Sequence, residues 1–295
     1  MEKERYFIRK NSAGGDGTER SAYTIILHLF LQTMKRIFLL LFAASCFNSF
    51  TISAQNTRIN DYNSIGWYAA TGTFFFHKKW SAHLEYQWRR DELISKWQQS
   101  LLRTGINYQA NSNLTLRAGY AWAETYNYGD YPINAFGKTF TEHRLYETAT
   151  LTQRSGSVDI SHRFLLEQRW LPRYASAASL KPDEWLFVNR ARYMLRLQHS
   201  LKGKTIEDKE PYIAAYDELL IGFGKNVNEN IFDQNRLGLL IGFRFTKAFR
   251  IEGGYLNQTL QLGREISGRN VFQSNSGFII STILNFDLSK SASTN

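Results

Sequence analysis

The 295-residue chain carries a formal net charge of +10, with 15% aromatic residues, only 4 prolines and 1 cysteine. A mean hydropathy of −0.39 speaks against a bundle of membrane helices. It does not speak against a barrel, whose strands give half of their residues to a polar interior. The basic charge is scattered through every segment instead of forming a stripe with interleaved aromatics, which argues against a nucleic-acid surface.

At the N-terminus, Met34-Lys35-Arg36 precedes an apolar run, Ile37 to Phe47, and a polar stretch ending Thr51-Ile52-Ser53-Ala54-Gln55. That is the basic, apolar and small-residue layout of a secretory signal over 34–54, with cleavage after Ala54, although Ile52 at the −3 position is not small. Residues 1–33 are charged and then weakly apolar. The expectation is that Met34 is the true start and that the first 33 residues come from an over-extended reading frame; native N-terminal sequencing decides. Cys46 lies inside the leader, so a mature chain has no disulfide, no Cys zinc site and no thiol nucleophile. Ala43-Ala44-Ser45-Cys46 read as a lipidation box is the lesser alternative, because the sequence after Cys46 stays apolar.

Beyond the leader no stretch is apolar for the roughly 18 residues a membrane helix needs. Segments of about 10 residues instead alternate apolar with polar, the period of a strand with two different environments on its faces. Strands are expected at 64–76, 80–90, 97–109, 113–126, 140–153, 157–171, 184–200, 211–223, 232–246, 248–262 and 271–287. Short turns, such as His77–Lys79 and Ala110–Ser112, alternate with longer links, such as 126–139, 174–183 and 263–270. This rhythm predicts an all-β fold, an antiparallel up-and-down transmembrane β-barrel forming one domain over 55–295. Single-chain bacterial barrels have even strand numbers. Twelve strands are therefore expected, with Thr57–Asn63 as the extra one. Ten is the alternative, with 211–223 suspect because Asp217 interrupts its apolar face and would need a bulge.

One face of these strands reads Leu84, Tyr86 and Trp88; Leu102, Ile106 and Tyr108; Leu237, Leu239, Ile241 and Phe243; Phe278, Ile280 and Phe286. The other reads His83, Glu85 and Arg89; Arg103; Arg117; Arg236; and Arg250. A charged face of that kind would be intolerable in a soluble core but is comfortable in a wet lumen. A lumen charge network is expected from Arg144, Arg163, Glu167, Arg169, Arg190, Arg192, Arg196, Arg244 and Glu252, with Glu142, Glu147, Asp159 and Glu218 as further partners. Its plainest role is to fill and stiffen a narrow barrel. Anion selectivity and the binding of lipid phosphates near the rim are the functional alternatives. The tryptophans fall near strand ends, as interfacial belts require.

No catalytic residue is assigned. Ser161 and His162 are neighbours on a strand and point to opposite faces, and His143 could meet Ser161 and Asp159 only after a register shift. No metal or cofactor motif is present: Gly222-Phe223-Gly224 and Gly253-Gly254 precede no helix and are not phosphate loops.

Certain strings carry a family likeness: Gly66–Glu85 with the Lys78-Lys79-Trp80 turn, Glu142-His143-Arg144-Leu145-Tyr146, Ser161-His162-Arg163 with Glu167-Gln168-Arg169-Trp170, Phe187–Arg192, and Glu252-Gly253-Gly254-Tyr255. By their order and spacing over about 60–288, the chain resembles the outer-membrane β-barrels of domain-of-unknown-function family 2490, of Bacteroidetes-type bacteria. The resemblance implies the cell outer membrane as location, with outer-membrane lipids and the barrel assembly machinery as partners, and brings no substrate, cofactor or catalytic residue. The last strand, ending near Phe286, resembles the aromatic-ended assembly signal, although a polar tail follows it. The expected role is a narrow channel for a small solute or anion, or a structural envelope component. A barrel-embedded enzyme acting on envelope lipid and a secreted soluble β-sheet binding protein are the alternatives.

Overall fold

Alternation at period two becomes eleven strands: β1 (Arg58–Phe75), β2 (Trp80–Asp91), β3 (Lys96–Gln109), β4 (Leu114–Thr125), β5 (Phe140–Ser155), β6 (Val158–Arg173), β7 (Glu184–Ser200), β8 (Glu210–Phe223), β9 (Phe232–Thr246), β10 (Phe249–Ile266) and β11 (Arg269–Asp287). The computed structural model describes residues 58–227 and 231–289, all within one compact unit. The expected leader at 34–54 and the segment 1–33 lie outside them. Each strand pairs with its neighbours in sequence, and β1 closes on β11, giving a single closed barrel.

The expected strand count and the purely antiparallel topology are both corrected. Among the described residues eleven strands, not twelve or ten, close the sheet, and an odd number of up-and-down strands leaves the first and last running the same way. The closing pair must then be parallel, and β1 and β11 do pair in parallel from Arg58↔Asn270 to Phe75↔Asp287. Residues 58–63 are not an extra strand; they are the first third of β1. The suspect segment is an intact β8 that passes through Asp217 without a bulge, paired to β7 and β9. Closure leaves the sheet without a free edge strand.

Short connections at 76–79, 110–113, 156–157 and 247–248 share one end of the barrel with the longer link 201–209. The other end carries 92–95, 126–139, 174–183 and, after β8, residues 224–227. A long loop expected at 263–270 is also corrected. β10 and β11 run on to a two-residue turn at Ser267 and Gly268, with φ of 52° and 68°, the left-handed pair of a tight hairpin.

The two faces separate cleanly. Leu84, Leu102, Ile106, Leu145, Phe164, Leu239 and Ile241 point outward and are exposed, with no second sheet or helix packed on them among the described residues. Aromatic pairs gather toward both strand ends: Trp80 with Tyr108, Phe74 with Phe286 and Phe245 with Phe249 at the short-turn end; Trp88 with Trp97, Trp97 with Tyr126 and Trp170 with Phe187 at the other. The interior holds buried charge flanked by small apolar clusters, one of Leu101, Ala121, Ala123, Tyr146 and Leu165, another of Leu260, Leu262 and Val271.

Candidate functional site

Register decides which interior charges meet. β5 and β6 place Arg144 directly opposite Arg169. Two like charges there would repel, and Glu142 resolves the clash. It accepts from Arg144 Nε at 2.8 Å through Oε1 and from Arg169 through both oxygens. One strand further, Glu167 lies opposite Arg190. Glu167 accepts from Arg190 Nε at 2.6 Å and from Arg192 Nη1 at 3.0 Å, with Arg144 Nη1 at 3.8 Å. Glu218 then gathers Arg192 (2.7 Å), Arg163 (2.8 Å) and, more distantly, Arg236 (3.4 Å). The ion pairs therefore run without a break from β5 to β9.

Of the residues expected in this network, Arg144, Arg163, Glu167, Arg169, Arg190 and Arg192 come together. Arg196 and Glu252 form a neighbouring pair at 2.5 Å, with the buried Tyr212 hydroxyl donating to Glu252 at 2.7 Å. Arg244 is elsewhere: it binds Asp208 at 3.0 Å and the Ile206 carbonyl at 2.6 Å, at the short-turn rim. Two expected partners also fall outside. Glu147 is exposed on the outer face and bonded by Gln168, and Asp159 pairs with Arg154 near a turn. His143 points outward to Tyr120 and stands opposite Trp170, whereas Ser161 stands opposite Thr152, so these two do not converge.

Asp233 was not anticipated. Strict alternation sends it outward with Asn235, Leu237 and Leu239. A register shift sets Leu220 opposite Gln234 but Ile221 opposite Phe232, leaving Asp233 as the extra residue of a bulge. The bulge re-aims its carboxylate inward, where it accepts from Arg190 Nη1 at 2.6 Å. Gln98 is placed inward by the same device on β3 and accepts from Trp67 Nε1 at 2.7 Å.

Glu167 has no exposed surface, and Arg190 (1%) and Arg192 (5%) have almost none. Between this layer and the long-loop end lies a chamber of about 930 Å³. The cations lining it include Arg89 and Arg236, both buried and both beside one indole, with Cζ 3.8 and 5.2 Å from the Trp67 ring centre. Link 126–139 folds over one side of it. Arg264 donates to the Pro132 carbonyl at 2.6 Å, Gln273 to that of Tyr131 at 2.9 Å, and Asn275 to the Tyr128 hydroxyl at 3.3 Å. Burial pushes the Tyr128 hydroxyl up to about 12, against the opposing effect of its bonds to Gln98 and Asn275. No group of three or more metal-ligating side chains converges among the described residues.

Comparison with known proteins yields one family. Its description reads "Protein of unknown function (DUF2490)", and its profile matches residues 65–266, from the middle of β1 to the end of β10. Neither the curated proteins nor the solved structures contain a match. With that profile spanning more than half of its length, the chain belongs to the DUF2490 family.

Proposed function

We propose that the protein is an outer-membrane barrel whose lumen is blocked at mid-height by its own ion pairs, an envelope component that does not act as an open diffusion pore. The observation that carries this reading is the opposite character of the two faces of the same strands. Exposed Leu84, Phe164, Leu239 and Ile241 suit hydrocarbon, and the aromatic pairs near both strand ends suit its two interfaces. The buried Arg144–Glu167–Arg192–Glu218 chain suits an interior filled by protein. Strands of 12 to 19 residues exceed the 9 to 11 that a tilted strand needs to span a bilayer, and an odd strand number, although it departs from the bacterial rule, does occur among membrane barrels. The assembly machinery would engage the end of β11 near Phe286.

Membrane fractionation joined to cold electrophoresis tests the reading. The expected result is retention in the outer-membrane fraction after a high-salt wash and a band that shifts on boiling. Release by salt, with no heat-dependent shift, would overturn it. In planar bilayers the natural chain is expected to give no stable conductance steps. Steps with anion preference would instead support the narrow-channel role.

A further inference from the structure

The chamber at the long-loop end is lined by more cations than carboxylates. Among the described residues lining it are seven arginines and four carboxylates. Arg144 and Arg169 share Glu142, Arg190 binds Asp233, and Arg173 reaches Glu184 at 3.5 Å. Three cations then remain under-compensated. Among the described residues Arg89 bonds only to the side-chain amides of Gln87 and Gln99. Arg236 is held by Gln234, and its one carboxylate, Glu218, is 3.4 Å away and shared with two other arginines. Arg264 has a buried Nε with no partner among the described residues.

A buried guanidinium without a counter-charge is costly, and an anion supplied from outside removes the cost. The fork of N–H groups matches a carboxylate or phosphate. Nearer the opening the lining turns apolar: Leu171, Leu186 and Val188 from β6 and β7 are half-buried there, with Leu260, Leu262 and Phe136 on other sides. A chamber of this size is at the upper end of the range for small-molecule sites, which runs to roughly 1,000 Å³.

We propose that this chamber binds an anionic amphiphile, one phosphate or carboxylate head against Arg89 and Arg236 and an apolar body along Leu171, Leu186 and Val188. The site does not depend on the membrane assignment, since it lies inside the barrel. Its test is isothermal titration of the full chain in a neutral detergent, with octyl phosphate and inorganic phosphate as the two probes. Saturable binding of octyl phosphate is expected, at least ten-fold tighter than that of inorganic phosphate. Arg89→Gln and Arg236→Gln are each expected to weaken octyl phosphate binding about ten- to hundred-fold. Arg250→Gln, an arginine outside the chamber, is expected to leave it unchanged.

Leu186→Trp narrows the apolar path without touching a charge, so it is expected to weaken octyl phosphate and spare inorganic phosphate. That variant keeps the test decisive should either arginine variant lose the heat-dependent shift of a folded barrel. No saturable binding, equal affinity for both probes, or binding indifferent to Arg89→Gln, Arg236→Gln and Leu186→Trp together would overturn the proposal. Phosphate binding without added affinity from the octyl chain would mark a free-anion site in place of an amphiphile site.

Discussion

Glu167 has no exposed surface and faces three guanidinium groups, so its removal would leave Arg190, Arg192 and Arg144 short of a counter-charge in a water-poor interior, held by Asp233, Glu218 and the shared Glu142. Breaking a buried pair by deleting one partner costs about 3–5 kcal/mol. Glu167→Ala is expected to lose about that much, read as a fall in the urea midpoint of the barrel in detergent. Glu147→Ala, on the exposed outer face, is expected to change it by less than about 1 kcal/mol. Equal losses would show that the interior ion pairs are not structural. Gly242 offers a second residue-scale test. A Cβ there would stand 2.2 Å from the ring of Tyr212, which is itself fixed by its bond to Glu252. Gly242→Ala should therefore cost about 1–3 kcal/mol through overpacking. Much of this chemistry was legible residue by residue: Arg144, Glu167, Arg190 and Arg192 all lie where period two puts them. The outward direction of Glu147 was legible as well, because five positions separate it from the inward Glu142. Asp233 was not legible, since a bulge depends on the register of two strands and leaves no mark in one.

At the scale of elements, strand positions followed from alternation and turn residues, most of them to within a few residues. The closing pair was hidden for a physical reason: β1 and β11 are some two hundred residues apart, and no local periodicity records which ends meet. Its parallel register can be tested directly. Tyr62 stands opposite Ser274, both on the outer face. In a chain with Cys46→Ser, the pair Tyr62→Cys and Ser274→Cys should form a disulfide on mild oxidation, because paired strands put Cα atoms within about 4.4–6.8 Å. An intervening twelfth strand would hold them roughly twice the inter-strand spacing apart, near 10 Å, and no bridge would form. The 126–139 link gives a second element-scale prediction. The Tyr128 hydroxyl is pushed up to about 12 by burial, whereas an undocked tyrosine ionises near 10. Docking of the link is thus fully favoured below pH 10 and lost as pH rises from about 10 toward 12. Limited proteolysis within 129–139 should accelerate across that window. In Tyr128→Phe the acceleration should vanish; if it persists unchanged, Tyr128 is not the group responsible.

For the whole molecule, one arrangement of charge fills the interior of the barrel and, in the function proposed above, closes its lumen. Apolar residues are spent on the outer face, so the interior has to be filled by side chains that would ordinarily seek water. They can be buried only by pairing with one another across five strands, from Glu142 on β5 to Arg236 on β9. If that layer is what blocks the lumen, shortening it should open the barrel without changing its net charge. A chain carrying Glu167→Ser, Arg190→Ser, Arg192→Ser and Glu218→Ser loses two charges of each sign. It is expected to keep its heat-dependent electrophoretic shift, with lowered stability, and to show unitary conductance steps that the natural chain lacks. The Arg89 and Arg236 cations of the chamber would remain along the opened path, so those steps should favour anions. A folded but silent variant would move the block to the 126–139 link, which a further deletion within 129–137 would test in the same bilayer. Cation-selective steps would mean that the chamber's excess of arginine does not govern the field an ion meets.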